Sequence, residues 1–265
     1  MNVDNETINL KEVVSSRFGN LIPMWFIGLM EKYFHMDFLN SILAQHYPEE
    51  EFCLKALDYA DIKLDVHGEI PDEGHYTFAC NHPLGAIDGL AMTGLIGRRF
   101  NDKVRLLAND FLMHVKKLAP KIVPVNRMGG QKKDILKRLD DAFGSDNQIL
   151  VFPAGNVSRI YDGVIQDNRW QKSFVSRSIA SERDVVPVHI EGRNSKKFYR
   201  LASLERFVKS KFPLTTLALP GELYRAQGKT FTITIGNPIP WQTFDKRRSM
   251  DEWAAWVRSK VYQLH

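Results

Sequence analysis

The chain predicts an α/β fold: a mixed, largely parallel central sheet flanked by helices, with an N-terminal helical segment before it. Three observations carry that reading. Short apolar runs rich in β-branched residues alternate with longer stretches of helical period from about residue 62 onward. Several of those runs, such as Ile149-Leu150-Val151-Phe152, are continuously apolar, as buried strands are. Before residue 61 only the helical period is present.

In chain order, residues 6–17 and 24–46 read as helices. The second is unusually aromatic, running Met24-Trp25-Phe26-Ile27-Gly28-Leu29-Met30 and on to Phe34, Phe38 and Leu39. It suits either a core helix or one lying in a membrane interface with its charges outward. Strands are expected at 62–66, 76–80, 104–108, 122–125, 148–152, 185–190 and 230–235, and helices at 89–99, 131–143, 171–181 and 196–209. A last helix, 249–264, places Trp253, Trp256, Val257 and Val261 on one apolar face. The expected division is a helical segment over 1–60, a candidate for membrane-surface contact, and a main domain over 61–265.

Composition narrows the function classes. At 44% apolar and 25% charged residues, the chain has material for an ordinary globular core. Met1 to Glu12 carries three acids against one base and no apolar run, unlike a secretory leader. The longest apolar stretch, Leu21 to Met30, is about half of the ~20 residues that span a bilayer and is interrupted by Pro23 and Gly28. Cys53 and Cys80 lie in apolar surroundings with no metal or redox spacing, which suits reduced thiols in a cytoplasmic protein, peripheral at most to the membrane. The histidines show no metal-binding spacing, so no metal is expected. Basic residues cluster from Lys116 to Arg138, including Lys117, Lys121, Arg127, Lys132, Lys133 and Lys137, with Asp134 the one acid among them. That patch invites an anionic partner. The absence of aromatic–basic alternation argues against nucleic acid.

The most informative residues are Asn81-His82-Pro83-Leu84-Gly85-Ala86-Ile87-Asp88, lying between a strand and a helix. A loop at the carboxyl end of a strand is where open α/β sheets keep their active sites. A histidine held by a carboxylate can act as a general base near neutral pH. Three further loops hold unusual residues: Pro124-Val125-Asn126-Arg127, Phe152-Pro153-Ala154-Gly155-Asn156-Val157-Ser158-Arg159, and Val186-Pro187-Val188-His189.

These four blocks, in this order, resemble the glycerolipid and lysophospholipid acyltransferase superfamily. Its members carry Asn-His-x-x-x-x-Asp, a block ending in arginine, Phe-Pro-Glu-Gly-Thr-x-Ser, and Val-Pro-Val. The resemblance spans roughly residues 60–240 and implies the glycerol-3-phosphate acyltransferase-like form of the α/β fold, with 61–265 as the catalytic domain. It also implies His82 and Asp88 as catalytic residues, and Asn81, Arg127, Gly155, Asn156, Ser158 and Arg159 as substrate-binding. Two departures matter. Five residues separate His82 from Asp88 instead of the usual four, and Gly85 is placed to absorb the extra one. Ala154 and Asn156 replace the glutamate and threonine of the third block, which puts a glycerol phosphate acceptor in doubt.

The combination is most similar to the hemolysin-like branch, near ornithine-lipid and glycine N-acyltransferases. That similarity implies transfer of a long-chain or 3-hydroxylated long-chain acyl group from acyl carrier protein to the amine of a small amino acid, glycine first. Acyl-CoA is the other donor, and no bound cofactor is implied.

Read physically, acyl transfer needs a base, donors for an oxyanion, and a slot for the chain. His82 is the base and Asp88 fixes its tautomer. No Gly-x-Ser-x-Gly elbow is present, so direct attack by the acceptor is expected over an acyl-enzyme. Backbone N–H groups at Gly155 and Asn156 are candidate oxyanion donors, and Arg127 and Arg159 are candidate holders of an anion. Plainer roles stand beside these: Arg159 paired with Asp162, Arg127 on the surface, Asn81 as a turn former, His189 as packing. Lys116, Lys117, Lys132 and Lys133 are the expected contacts for an acidic carrier protein, and an anionic membrane surface would suit the same patch. Two other functions remain open: O-acylation of a lysophospholipid, and a non-catalytic lipid-binding or hemolysin-like role.

Overall fold

The structure, a computed structural model, describes residues 7–12, 23–126, 132–207 and 214–264. Helices α1 (Met24–Tyr33), α2 (Met36–Leu43) and α3 (Phe52–Tyr59) precede the first strand. There follow β1 (Lys63–His67), β2 (Tyr76–Cys80), α4 (Ala86–Arg99), β3 (Val104–Asn109), β4 (Ile122–Asn126), α5 (Lys132–Phe143) and β5 (Gln148–Val151). The chain continues through β6 (Arg159–Tyr161), β7 (Val164–Gln166), α6 (Ser173–Ala180), β8 (Asp184–Ile190) and α7 (Lys196–Phe207). It ends with α8 (Leu214–Leu217), α9 (Leu219–Arg225), β9 (Thr230–Ile235) and α10 (Met250–Val261).

The sheet has seven strands in the order β1-β9-β8-β2-β5-β3-β4. Strands β8, β2, β5, β3 and β4 are mutually parallel, and β9 turns antiparallel to β8. The expected mixed, largely parallel sheet is therefore the one observed. Its centre obeys the physics of a doubly covered sheet: Thr77–Cys80 and all of β5 are buried, with no polar-out alternation. Pro187 is tolerated inside β8 because its missing N–H lies on the same edge as that of Val185, which bonds to Ile239 beyond the end of β9. Pro124 is tolerated because β4 is an edge strand.

One face of the sheet buries Phe78, Cys80, Leu106, Val188 and Ile233 against α1–α4 and α7–α9. The other buries Ala79, Val151 and Val185 against α6 and α10, with Trp170, Phe174 and Trp253 between them. Of the two tryptophans expected in the core from the last helix, Trp253 is 4% exposed and Trp256 is half-buried. Residues of the N-terminal helices such as Ile42 and Leu57 share one apolar core with the sheet. At Gly94 in α4 an added Cβ would lie 2.6 Å from Leu54 of α3, so the two helices pack tightly there.

Three expectations need correction. The helix expected over 24–46 is broken at His35, which takes the left-handed conformation (φ 52°) and stacks its ring on Tyr224 at 4.0 Å. The described part of the first expected helix, 6–17, is helical only at 10–12. The short hairpin β6–β7 was not expected. Asp162 and Gly163 turn it with φ of 49° and 80°, the signature of a type I′ turn.

Candidate active site

The parallel strands deliver their carboxyl ends to one edge of the sheet, and β2 carries His82 there. Its loop turns through Gly85 at φ 79° and enters α4, with Asp88 on the third helical residue. Gly85 absorbs the additional residue of the motif as expected. Asp88 folds back so that its Oδ2 lies 2.9 Å from His82 Nδ1. The same oxygen accepts the backbone N–H groups of Leu84 at 2.8 Å and Gly85 at 2.9 Å. Asp88 is fully buried, His82 is 17% exposed, and its ring stacks on Phe152 at 4.1 Å. Burial raises the Asp88 pKa above the ordinary aspartate value, against the opposing pull of His82 and the two amides. An ionised carboxylate only accepts, so Nδ1 is the donor and Nε2 is left as the basic nitrogen. The arrangement can take a proton from a hydroxyl and stabilise the imidazolium that results.

Neither cysteine competes as a nucleophile. Both are buried and unpaired. Burial pushes the Cys53 thiol up to about 12 and raises that of Cys80 as well, helped there by the charge of Asp88.

Several residues assigned to substrate turn inward instead. Asn81 is 3% exposed and spends its amide on Ile190, donating to its carbonyl at 2.9 Å and accepting from its N–H at 2.7 Å. It braces the ends of β2 and β8. Ser158 is 2% exposed, gives its N–H to the His82 carbonyl at 2.7 Å and its hydroxyl to Asp167 at 2.6 Å. Gly155 N–H closes a turn onto the Phe152 carbonyl at 2.9 Å, so it is not a spare oxyanion donor. Asn156 is exposed beside it. The replaced acid position, Ala154, is buried among Val151, Trp170 and Phe174.

Arg159 does not pair with Asp162. Its guanidinium donates to the Val157 carbonyl at 2.6 Å and to Thr215 Oγ1 at 3.1 Å, and lies over the Phe198 ring. Burial lowers its pKa, offset by the nearby charge of Glu205. Arg127 and the side chain of Lys132 lie outside the described residues. Lys117 also leaves the expected basic rim: its ammonium donates to the Leu43 and Gln45 carbonyls at the end of α2, over the Phe52 ring. Lys116 and Lys133 are exposed. His189 is a packed residue, edge-on to Tyr262 at 5.7 Å.

Sequence reasoning missed Asp167, Asn194 and Tyr262. Asn194 donates its amide to the Pro83 carbonyl at 3.1 Å, and so supports the His82 loop from the far side. Asp167 accepts the His82 N–H at 3.2 Å. None of the three stands in a motif, and only the fold brings Asp167 and Asn194 to the loop and Tyr262 to Asp167, whose N–H it accepts.

Fold and site together define an α/β acyltransferase whose candidate base is a histidine held by a buried carboxylate. The chain belongs to the glycerolipid and lysophospholipid acyltransferase superfamily: a family model described as Acyltransferase matches residues 16–265. It is 43% identical over 247 residues to the lyso-glycine lipid O-acyltransferase of Bacteroides thetaiotaomicron, covering 92% of this chain and 91% of that protein. It is 40% identical over 264 residues to the protein of the same name from Phocaeicola vulgatus, covering 97% and 95%. In fold it is similar to the 1-acyl-sn-glycerophosphate (LPA) acyltransferase PlsC from Thermotoga maritima, with TM-score 0.54 and 16% identity over 89% of this chain and 95% of that one.

These relatives overturn the expected chemistry. The expectation of transfer to the amine of a free amino acid is contradicted, both relatives being O-acyltransferases of a lyso-lipid. The physical reason for the error is plain: a histidine–carboxylate pair takes a proton from an amine or from a hydroxyl alike, so the motif is silent on the acceptor atom.

Proposed function

We propose that this protein transfers a long-chain acyl group from a thioester donor, acyl carrier protein or coenzyme A, to a hydroxyl of a lyso-glycine lipid. The observation that carries the reading is near full-length identity of 43% and 40% with two proteins of that activity, joined to a His82–Asp88 pair within hydrogen-bond distance. In this reading His82 Nε2 takes the hydroxyl proton as the oxygen attacks the thioester carbonyl. A tetrahedral oxyanion forms and collapses, the C–S bond breaks, and the leaving thiolate takes the proton back from the imidazolium. Asp88 holds the ring and balances its transient charge. Arg159, beside the third-block loop, offers a cation for the acceptor's anionic headgroup or the donor's phosphate. Exposed Lys116 and Lys133 suit an acidic carrier protein.

The test is acceptor competition. Purified enzyme with a long-chain acyl carrier protein should release thiol and form a doubly acylated product with lyso-glycine lipid, read by mass spectrometry. A higher kcat/KM for lysophosphatidic acid than for lyso-glycine lipid would overturn the assignment.

A lipid acceptor also bears on where the enzyme works. No helix among the described residues is long and apolar enough to cross a membrane. Yet α1 exposes Met24 at 58%, Trp25 at 72% and Leu29 at 57%, with Lys197 over the ring of neighbouring Tyr33. Such a face suits the surface of an anionic membrane, and two unpaired thiols suit its cytoplasmic side. The double substitution Trp25→Ser/Leu29→Ser should weaken sedimentation with phosphatidylglycerol vesicles by about tenfold or more, at ~1.5–3 kcal/mol per buried large apolar side chain. Turnover of acceptor presented in detergent should be unchanged, and undiminished vesicle binding would remove α1 from the contact.

A further inference from the structure

Asp167 is a buried acid, 3% exposed, placed just after β7 where no motif marks it. All of its polar atoms are engaged. Oδ1 accepts from the His82 backbone N–H at 3.2 Å and from Ser158 Oγ at 2.6 Å. Oδ2 accepts from Trp170 Nε1 at 2.9 Å. Its own N–H donates to the Tyr262 hydroxyl at 2.9 Å, and its carbonyl accepts from Arg258 Nη2 at 3.1 Å. Ser158 then returns a backbone N–H to the His82 carbonyl at 2.7 Å.

The consequence is a division of labour around His82. Asp88 orients the ring through Nδ1. The backbone from which the ring hangs is held at both its N–H and its C=O, by Asp167 and Ser158. Those two residues bind each other, so the loop of His82 and the loop 152–158 are tied through one carboxylate. Trp170, Tyr262 and Arg258 anchor that carboxylate's own residue to the packed layer of α10.

We propose that Asp167 is a positioning residue for acyl transfer, its carboxylate locking the base-bearing loop to the third-block loop as one rigid unit. This rests on His82 being the base. The chemistry of the site makes an aspartate specific. Three donors converge on its two oxygens, and asparagine cannot serve them all. With its oxygen toward His82 and Ser158, an asparagine turns its NH2 on the indole N–H of Trp170. Flipped, it turns the NH2 on the His82 amide. Either way donor faces donor, in a buried place where an unmade hydrogen bond is not replaced by water.

The test uses full-length Asp167→Asn, Ser158→Ala, their double variant and His82→Ala. Thiol release from a long-chain acyl carrier protein is measured with lyso-glycine lipid as acceptor, per molecule folded by circular dichroism, and the His82 amide is followed by ¹H–¹⁵N NMR. We expect Asp167→Asn to lower kcat about 10–100-fold, the scale of a small misplacement of a reacting group. KM for both substrates should hold within about threefold, since in this reading the variant misplaces the base and not the substrates. The His82 amide proton should move upfield, and the double variant should be no slower than Asp167→Asn, because the two side chains act as a unit. A purely structural acid would lower the unfolding midpoint and leave kcat per folded molecule and the His82 amide as in the parent. That result, or additive losses in the double variant, overturns the proposal with the base assignment intact. A wild-type rate in His82→Ala would instead overturn the base assignment, and this role with it.

Discussion

Replacing His82 by glutamine should lower kcat by about 10²–10⁴-fold, the usual contribution of a positioned general base, with KM for the donor nearly unchanged. Glutamine keeps a polar group in the place of the ring and removes only its basicity. The partner acid then allows a finer dissection. Asp88 does two jobs through one oxygen, accepting Nδ1–H of His82 and the N–H groups of Leu84 and Gly85. Asparagine at this position should keep its oxygen there, because two fixed backbone donors point at it. The tautomer is then retained and the charge alone is lost. Asp88→Asn should therefore fall less than Asp88→Ala, which loses tautomer control, charge and the cap of α4 together. About 10²-fold against about 10³–10⁴-fold is the expected separation, and equal losses would mean that charge, not tautomer control, is the contribution of Asp88.

The raised Asp88 pKa adds a pH dependence of stability with a definite sign. A carboxyl whose folded pKa exceeds its unfolded value binds a proton more readily when folded. Its favourable contribution is present below the ordinary aspartate range and is lost as pH rises through the raised folded value. Above that value the burial of the charge is fully borne by the folded state. The stability of Asp88→Asn relative to the parent should accordingly improve from acid to neutral pH, as read by urea denaturation at both. A relative stability that worsens with rising pH would show the opposite linkage.

The second large effect is expected at Gly85. Its φ of 79° is costly for any other residue, and an added Cβ would lie 2.5 Å from Leu219 Cδ2 and 3.1 Å from Val157 Cγ2. Gly85→Ala should cost about 1–3 kcal/mol in stability from strain and overpacking. It should also cost more activity than that loss of stability explains. The Gly85 N–H is one of the donors that fix Asp88, and a shifted loop misplaces the ring by distances that commonly cost about 10²-fold in rate. Leu219→Ala in the same chain removes the nearest clash and leaves the backbone strain. Partial recovery of the unfolding midpoint without full recovery of kcat is the expected outcome. Complete recovery of both would assign the whole effect to Leu219 and none to the backbone.

How much of this was legible in the sequence differs from residue to residue for physical reasons. His82 and Asp88 were legible because their interaction is local: a strand end, a glycine turn and one helical turn bring them together. The central strands β2, β5 and β8 were legible because burial on both faces leaves continuous apolar runs. The β6–β7 hairpin could have been read from Asp162-Gly163, a dipeptide suited to a type I′ turn, and was overlooked. The break at His35 carried no local signal, since its partner Tyr224 lies far along the chain. The amine acceptor was misread because the same base serves nitrogen and oxygen, and the evidence against it came from the relatives, both lyso-glycine lipid O-acyltransferases.

By itself, then, the sequence determined the α/β class, where along the chain its main strands lie, and the histidine and aspartate that meet at the end of β2. These depend on periodicity and on contacts within a few residues. Only the tertiary structure decided which polar side chains near that pair face outward and which hold the loops. Asn81, Ser158 and Lys117 look in sequence like residues for a ligand, but their partners are Ile190, Asp167 and the carbonyls of Leu43 and Gln45. A polar group's role follows from what lies within hydrogen-bond reach, and for these residues that is set by the packing of distant segments.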